Sequence, residues 1–99
     1  MSQKTIEKQD TKIKIRKPKM YKVIIYNDDY TTMEFVVKIL IEIFKKSVVE
    51  STKIMYDVHR SGIGIAGIYS YDIAATKMAQ AMDASEEGGF PLKFSIEEE

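Results

Sequence analysis

The 99-residue chain contains no cysteine, which excludes disulfide frameworks, thiolate zinc sites and thiol nucleophiles in one step. It contains one histidine, His59. A zinc or triad enzyme built on that single imidazole would lack a third convergent ligand or a nucleophile, so neither catalysis nor a metal or cofactor site is expected. No apolar run reaches the roughly 20 residues that span a bilayer, and the first residues lack the apolar stretch of a secretory signal. No membrane contact is expected, and the cytoplasm is the expected compartment.

Net charge is also missing, formally zero over the whole chain, but the balance hides an asymmetry. Through Lys22 there are eight Lys or Arg against Glu7 and Asp10, a net of plus six, and the remaining residues carry minus six. From Met1 to Lys19 the apolar residues are only Met1, Ile6, Ile13, Ile15 and Pro18, too few to offset the entropy of ordering. Residues 1–19 are therefore expected to be a flexible basic extension, and 20–99 a single domain. Such an extension suits either a solvated leader or contact with RNA or an acidic surface. A ribosome-associated or RNA-binding module is the alternative reading it leaves open, although aromatic interleaving and clustered arginines are absent from it.

What is present from Met20 onward is strongly patterned. Val23 and Ile25 alternate with Lys22, Ile24 and Tyr26, a β-rich run closed by Asn27-Asp28-Asp29, whose short polar side chains favour a turn. Thr31 followed by Glu34 predicts a capping box, and Met33, Val36, Val37, Leu40, Ile41 and Phe44 fall on one helical stripe that is expected to end near Lys45 and Lys46. Ser47 with Glu50 repeats the capping signature and opens a second helix through Ile54, Met55 and Val58 that stops before Gly62. Residues 63–69 predict a strand in which Gly64 and Gly67 mark close approaches to the backbone. Ser70 is expected to cap a third helix with Tyr71, Ala74, Ala75, Met78, Ala81 and Met82 inward, ended by Gly88-Gly89. Leu92, Phe94 and Ile96 alternate with Lys93, Ser95 and Glu97 in a last strand. The fold class is α/β: the order βααβαβ predicts a two-layer sandwich, with three helices on one face of a three-stranded, largely antiparallel sheet and the first strand in its middle.

The chemistry concentrates where the first strand ends. Asn27, Asp28 and Asp29 leave it together, while Met55, Val58 and His59 stand at i, i+3 and i+4 on one face of the second helix. If that face meets the junction, an amide, two carboxylates and an imidazole border an apolar wall of Met33, Val36, Met55 and Val58. The combination suits an amphipathic cation, because an ammonium leaving water needs acceptors for its three N–H donors. Taken singly, each feature has a plainer reading: the methionines and valines as core, Asp28-Asp29 as a turn and helix N-terminal charge, His59 as a C-terminal cap.

Met20-Tyr21-Lys22-Val23 through Asn27-Asp28-Asp29-Tyr30-Thr31, Met33-Glu34-Phe35-Val36, Ile54-Met55-Tyr56-Asp57-Val58-His59, Thr76-Lys77 and Pro91-Leu92 together resemble ClpS, the adaptor family of the bacterial Clp protease. The resemblance covers everything after the basic extension. It implies a non-enzymatic, monomeric adaptor that captures proteins bearing an N-terminal Leu, Phe, Tyr or Trp, an N-degron, and hands them to a ClpA-type AAA+ unfoldase for degradation by ClpP. On this resemblance Asn27 and His59 would bond the free α-amino group, with Asp28 and Asp29 supplying negative charge and orientation, directly or through water. Ile25, Thr31, Met33, Val36, Met55, Val58 and Leu92 would line the side-chain pocket, Met33 pressing on the β-carbon of the bound residue so that Ile and Val are rejected. Protonating His59 would turn an acceptor into a cation facing the ammonium, so peptide affinity is expected to fall on acidification. Asp72 and Lys77 match charged positions that the family uses to dock on the N-terminal domain of the unfoldase, and no nucleic acid is implied. The extension resembles the family's only in being extended, and such tails engage the unfoldase pore. Thr32 departs from the family, which usually has proline there.

Overall fold

The computed structural model describes residues 17–99. The basic extension expected over 1–19 lies outside the described residues through Arg16. The elements are β1 (Tyr21–Tyr26), α1 (Met33–Glu42), α2 (Val48–Ser61), β2 (Ile63–Tyr69), α3 (Tyr71–Glu87) and β3 (Lys93–Glu98). The sheet order is β2-β1-β3, with both outer strands antiparallel to β1. The expected βααβαβ sandwich is therefore the observed one, and β1 is central.

Strand alternation divides the sheet into two faces. Val23 and Ile25 of β1 point inward, both fully buried, into a core that includes Val36, Ile39 and Leu40 of α1, Met55 and Val58 of α2, and Ala74 and Ala81 of α3. On the opposite face Tyr26 bonds Ser95 through their hydroxyls at 2.8 Å, and Lys22 lies 3.9 Å from Glu97. The register shifts between Val23 and Ile24, a bulge that leaves both Ala66 and Gly67 of β2 buried.

The glycines of β2 act as expected. A Cβ on Gly64 would stand 2.6 Å from Val58 Cγ2 and 3.1 Å from the Ile54 carbonyl oxygen, so α2 lies directly on the strand there. Gly67 makes room for the Tyr69 ring.

Three local expectations are corrected. The first helix is capped by Thr32, not Thr31: Thr32 Oγ1 accepts the Phe35 N–H at 3.1 Å. Two adjacent threonines compete for that role, and the first is held elsewhere, by Asp28. Thr32 thus supplies the acceptor that the start of the helix needs. The same helix stops at Glu42, three residues before Lys45, and its last turn carries no cation of its own. The cation comes from α3 instead, where Lys77 Nζ donates to the Ile43 carbonyl at 2.8 Å. In α3, Tyr71 and Met82 are exposed while Ser85 is buried. Its hydroxyl donates to the Ala81 carbonyl one turn back, which lets a serine occupy an apolar face.

Ser51, on the buried side of α2, is different. Its hydroxyl is fully buried with no hydrogen-bond partner among the described residues, a state that costs about 1–3 kcal/mol. Ser51→Ala removes the orphaned group with little loss of volume, and is expected to stabilise the domain by roughly 1 kcal/mol. The check is a higher urea midpoint at unchanged slope; a lower midpoint would show that the hydroxyl is satisfied.

Candidate functional site

The site begins where β1 runs out. One residue past the last β1–β2 pair, Tyr26 with Ile63, the Asn27 N–H donates to the Gly62 carbonyl at 2.9 Å. Gly62 is the C-cap of α2, in the left-handed region at φ 92°, and its own N–H returns to the Val58 carbonyl. Few residues other than glycine adopt that conformation, so the turn places the last turn of α2 against the end of β1. His59 lies in that last turn. The separation in sequence between junction and imidazole is closed by one backbone bond and one glycine.

From Asn27 the chain folds over Asp28. Asp28 Oδ1 accepts the N–H of Tyr30 at 2.8 Å and of Thr31 at 2.7 Å, and Oδ2 accepts the Thr31 hydroxyl at 2.7 Å. This is the turn-forming behaviour of a short carboxylate bonding to the backbone ahead of it. Burial pushes the Asp28 carboxyl up, but the bonds from the Thr31 N–H, the Thr31 hydroxyl and the Tyr30 N–H together outweigh it and hold the group below the ordinary carboxylate range. A depressed acid stabilises the fold fully above its unfolded value, so this contribution is lost only as pH falls through the lower, folded value.

Asn27, Asp28, Asp29, Thr31, Met33, Val36, Met55, Val58 and His59 line one open cavity of about 270 Å³. That is slightly below the ~300–1,000 Å³ of pockets for drug-sized ligands, a size that suits one large side chain. Its floor is apolar, with Val36, Met55 and Val58 buried, while Met33 is 40% exposed and stands at the mouth. Asn27, Asp29 and His59 are exposed on the polar side.

Nine of the residues expected at the site are thus brought together, and two pocket residues are not. Ile25 is fully buried on the inner sheet face, and Leu92 is a core residue that borders a separate depression with Phe90 and Pro91. The physical reason is the position of the opening: the cavity starts only after β1 ends, and the helices already cover Ile25. Asp72 and Lys77 lie elsewhere, on α3. Asp72 is exposed in its first turn, whereas Lys77 is half-buried, bonded to Ile43 and 5.6 Å from the centre of the Tyr69 ring. Sequence reasoning missed the Gly62 carbonyl as the tie between the two halves; its only signal was the glycine that stops α2.

Fold and cavity together define a small α/β recognition module, in which a set of hydrogen-bond acceptors borders an apolar recess. Comparison with known proteins makes this specific. The family model for "ATP-dependent Clp protease adaptor protein ClpS" matches residues 16–95, and the chain belongs to the ClpS family. It is 54% identical to the ATP-dependent Clp protease adapter protein ClpS of Acetivibrio thermocellus over 99 residues, all of both chains. It is 58% identical to that of Clostridium acetobutylicum over 87 residues, covering 88% of this chain and 86% of the relative. The solved structure of Agrobacterium tumefaciens ClpS2 bound to L-phenylalaninamide is similar with a TM-score of 0.79 and 42% identity, covering 84% of this chain and all of that one.

Proposed function

We propose that this Clp adaptor recognises N-degrons: it binds the free α-amino group and the large hydrophobic first residue of a protein, and delivers that protein to a ClpA-type AAA+ unfoldase for degradation by ClpP. The observation that carries this reading is the cavity itself, in which Asn27 and His59 share one recess with Met33, Val36, Met55 and Val58. An N-terminal residue is the simplest ligand with an ammonium and a bulky side chain on one carbon. The ligand of the similar Agrobacterium structure, L-phenylalaninamide, has this chemistry.

Magnitudes say why both halves are needed. Burying a Leu or Phe side chain contributes about 1.5–3 kcal/mol, which alone gives binding weaker than millimolar. Hydrogen bonds to a charged partner add about 1.5–3 kcal/mol each. Peptides that differ only in acetylation of the first residue separate the two terms, since acetylation removes the charge and two of the donors while leaving the side chain in place. The expected result is micromolar-range binding of the free Leu or Phe peptide and a loss of at least about 100-fold on acetylation. Equal binding of the two would overturn the reading.

On delivery, the exposure of Asp72 in the first turn of α3 supports a docking role for that helix. Lys77 does so only in part, because its ammonium already serves the end of α1.

A further inference from the structure

The chain has neither cysteine nor tryptophan but six methionines, so thioethers are the side chains on which a peroxide acts first. They are not equally open to it. Among the described residues Met55 is 7% exposed at the cavity floor and Met20 and Met78 are half-buried, whereas Met33 at the mouth is 40% exposed and Met82 on α3 is 48% exposed. Of the two exposed thioethers Met33 lines the cavity, and Met82 borders the separate depression with Phe90 and Pro91.

Position makes Met33 the consequential one. It shares the cavity wall with Val36, Met55 and Val58. Oxidation puts a strong acceptor, with its bound water, where a ligand's first side chain settles, and an aliphatic or aromatic side chain has no N–H or O–H to give it. The same change on Met82 leaves the cavity wall apolar.

We propose that Met33 is an oxidation site that switches recognition off: a peroxide converts its thioether to the sulfoxide, and the oxidised chain releases hydrophobic N-termini until the sulfoxide is reduced. The inference rests on the N-terminal recognition proposed above and adds its regulation. With hydrogen peroxide, a sulfur lone pair forms an S–O bond as the O–O bond breaks; the sulfur gives up two electrons and the second peroxide oxygen leaves as water. In the return step a methionine sulfoxide reductase oxidises a dithiol to a disulfide, and the sulfoxide oxygen leaves as water. With no cysteine in the chain, neither step is diverted into mixed disulfides. A bound N-terminus covers the mouth, so an occupied adaptor is shielded and an empty one is not.

The test treats the full chain with hydrogen peroxide, locates each sulfoxide by peptide mass mapping, and titrates a Leu-initiated peptide before and after. Met33 and Met82 are expected to oxidise well before Met55, and saturating Leu peptide to slow Met33 severalfold while leaving Met82 unchanged. Affinity should fall about tenfold or more as Met33 converts, and the two methionine sulfoxide reductases, one for each epimer, should restore it. Met82→Leu is expected to lose affinity on oxidation as the parent does, whereas Met33→Leu, whatever its starting affinity, should show no change. The urea midpoint of the oxidised chain should hold; a fall in step with the affinity would mean a loosened core and overturn the proposal. So would unchanged affinity at full conversion of Met33, or a loss that persists in Met33→Leu. Free and acetylated Leu peptides are compared first on the untreated chain. Equal binding there brings down the recognition reading and this inference with it, whereas discrimination there with no effect of peroxide brings down this inference alone.

Discussion

Met33→Ala is expected to admit peptides that begin with Ile or Val, which the parent chain is expected to reject, while binding of Leu and Phe peptides changes little. Met33 is the first residue of α1 and stands at the cavity mouth, 40% exposed, whereas Val36, one turn further along the helix, is buried at 5%. A ligand whose ammonium sits against Asn27 and His59 must pass its β-carbon through that mouth before its side chain reaches the floor. A γ-branched or aromatic residue presents one heavy atom on the β-carbon; Ile and Val present two. On the recognition proposed above, the Met33 thioether at the mouth would meet that second atom. Selectivity is then a steric exclusion that truncation removes, and the discrimination between Leu and Val peptides should shrink by about tenfold or more, the scale set by one misplaced methyl group in a close-fitting apolar site. Competition titration with Leu-, Phe-, Val- and Ile-initiated peptides reads this directly. Continued rejection of Val by the variant would move the filter inward, to Val36 or Val58.

What could be read from the residues is what is local. Ser47 with Glu50 was legible because a cap and its N–H partner lie three residues apart, and the bond is found between those two. Gly64 was legible as a close approach because a glycine inside an apolar strand has few other uses. The pairs Met33 with Val36 and Met55 with Val58 were legible as helix faces because each repeats at i, i+3. Two things were not. The end of α1 depends on Lys77, 34 residues further along the chain, and no local pattern contains that bond. The depth at which the cavity opens depends on how far the helices overhang β1. Alternation correctly sends Ile25 inward, but inward there means the core shared with all three helices, not the recess. Adjacent Thr31 and Thr32 show the remaining limit: either hydroxyl suits a cap, and only the place of Asp28 decides that Thr31 faces the cavity while Thr32 holds the helix.

Gly64 is the position through which fold and recognition are coupled. Gly64→Ala places a methyl 2.6 Å from Val58 Cγ2 and 3.1 Å from the Ile54 carbonyl oxygen. The second contact is tight but survivable; the first requires movement. Val58 is β-branched, 3% exposed and packed in the core, so its rotamer has little freedom and α2 must lift from β2. Overpacking of this kind costs about 1–3 kcal/mol. Because Val58 lines the cavity and His59 follows it, the same displacement shifts floor and imidazole away from a junction fixed to β1, and affinity for a free Leu peptide should drop about tenfold or more, as hydrogen bonds to the ammonium lengthen. The coupling has a signature of its own. Val58→Ala removes the clashing methyl at the cost of a small void, so in that background the added Gly64→Ala should destabilise far less than it does alone, a non-additivity expected only of residues in contact. Strictly additive losses in chemical denaturation would mean that α2 does not rest on Gly64, and that the closeness of His59 to the end of β1 is held by the Asn27–Gly62 bond alone.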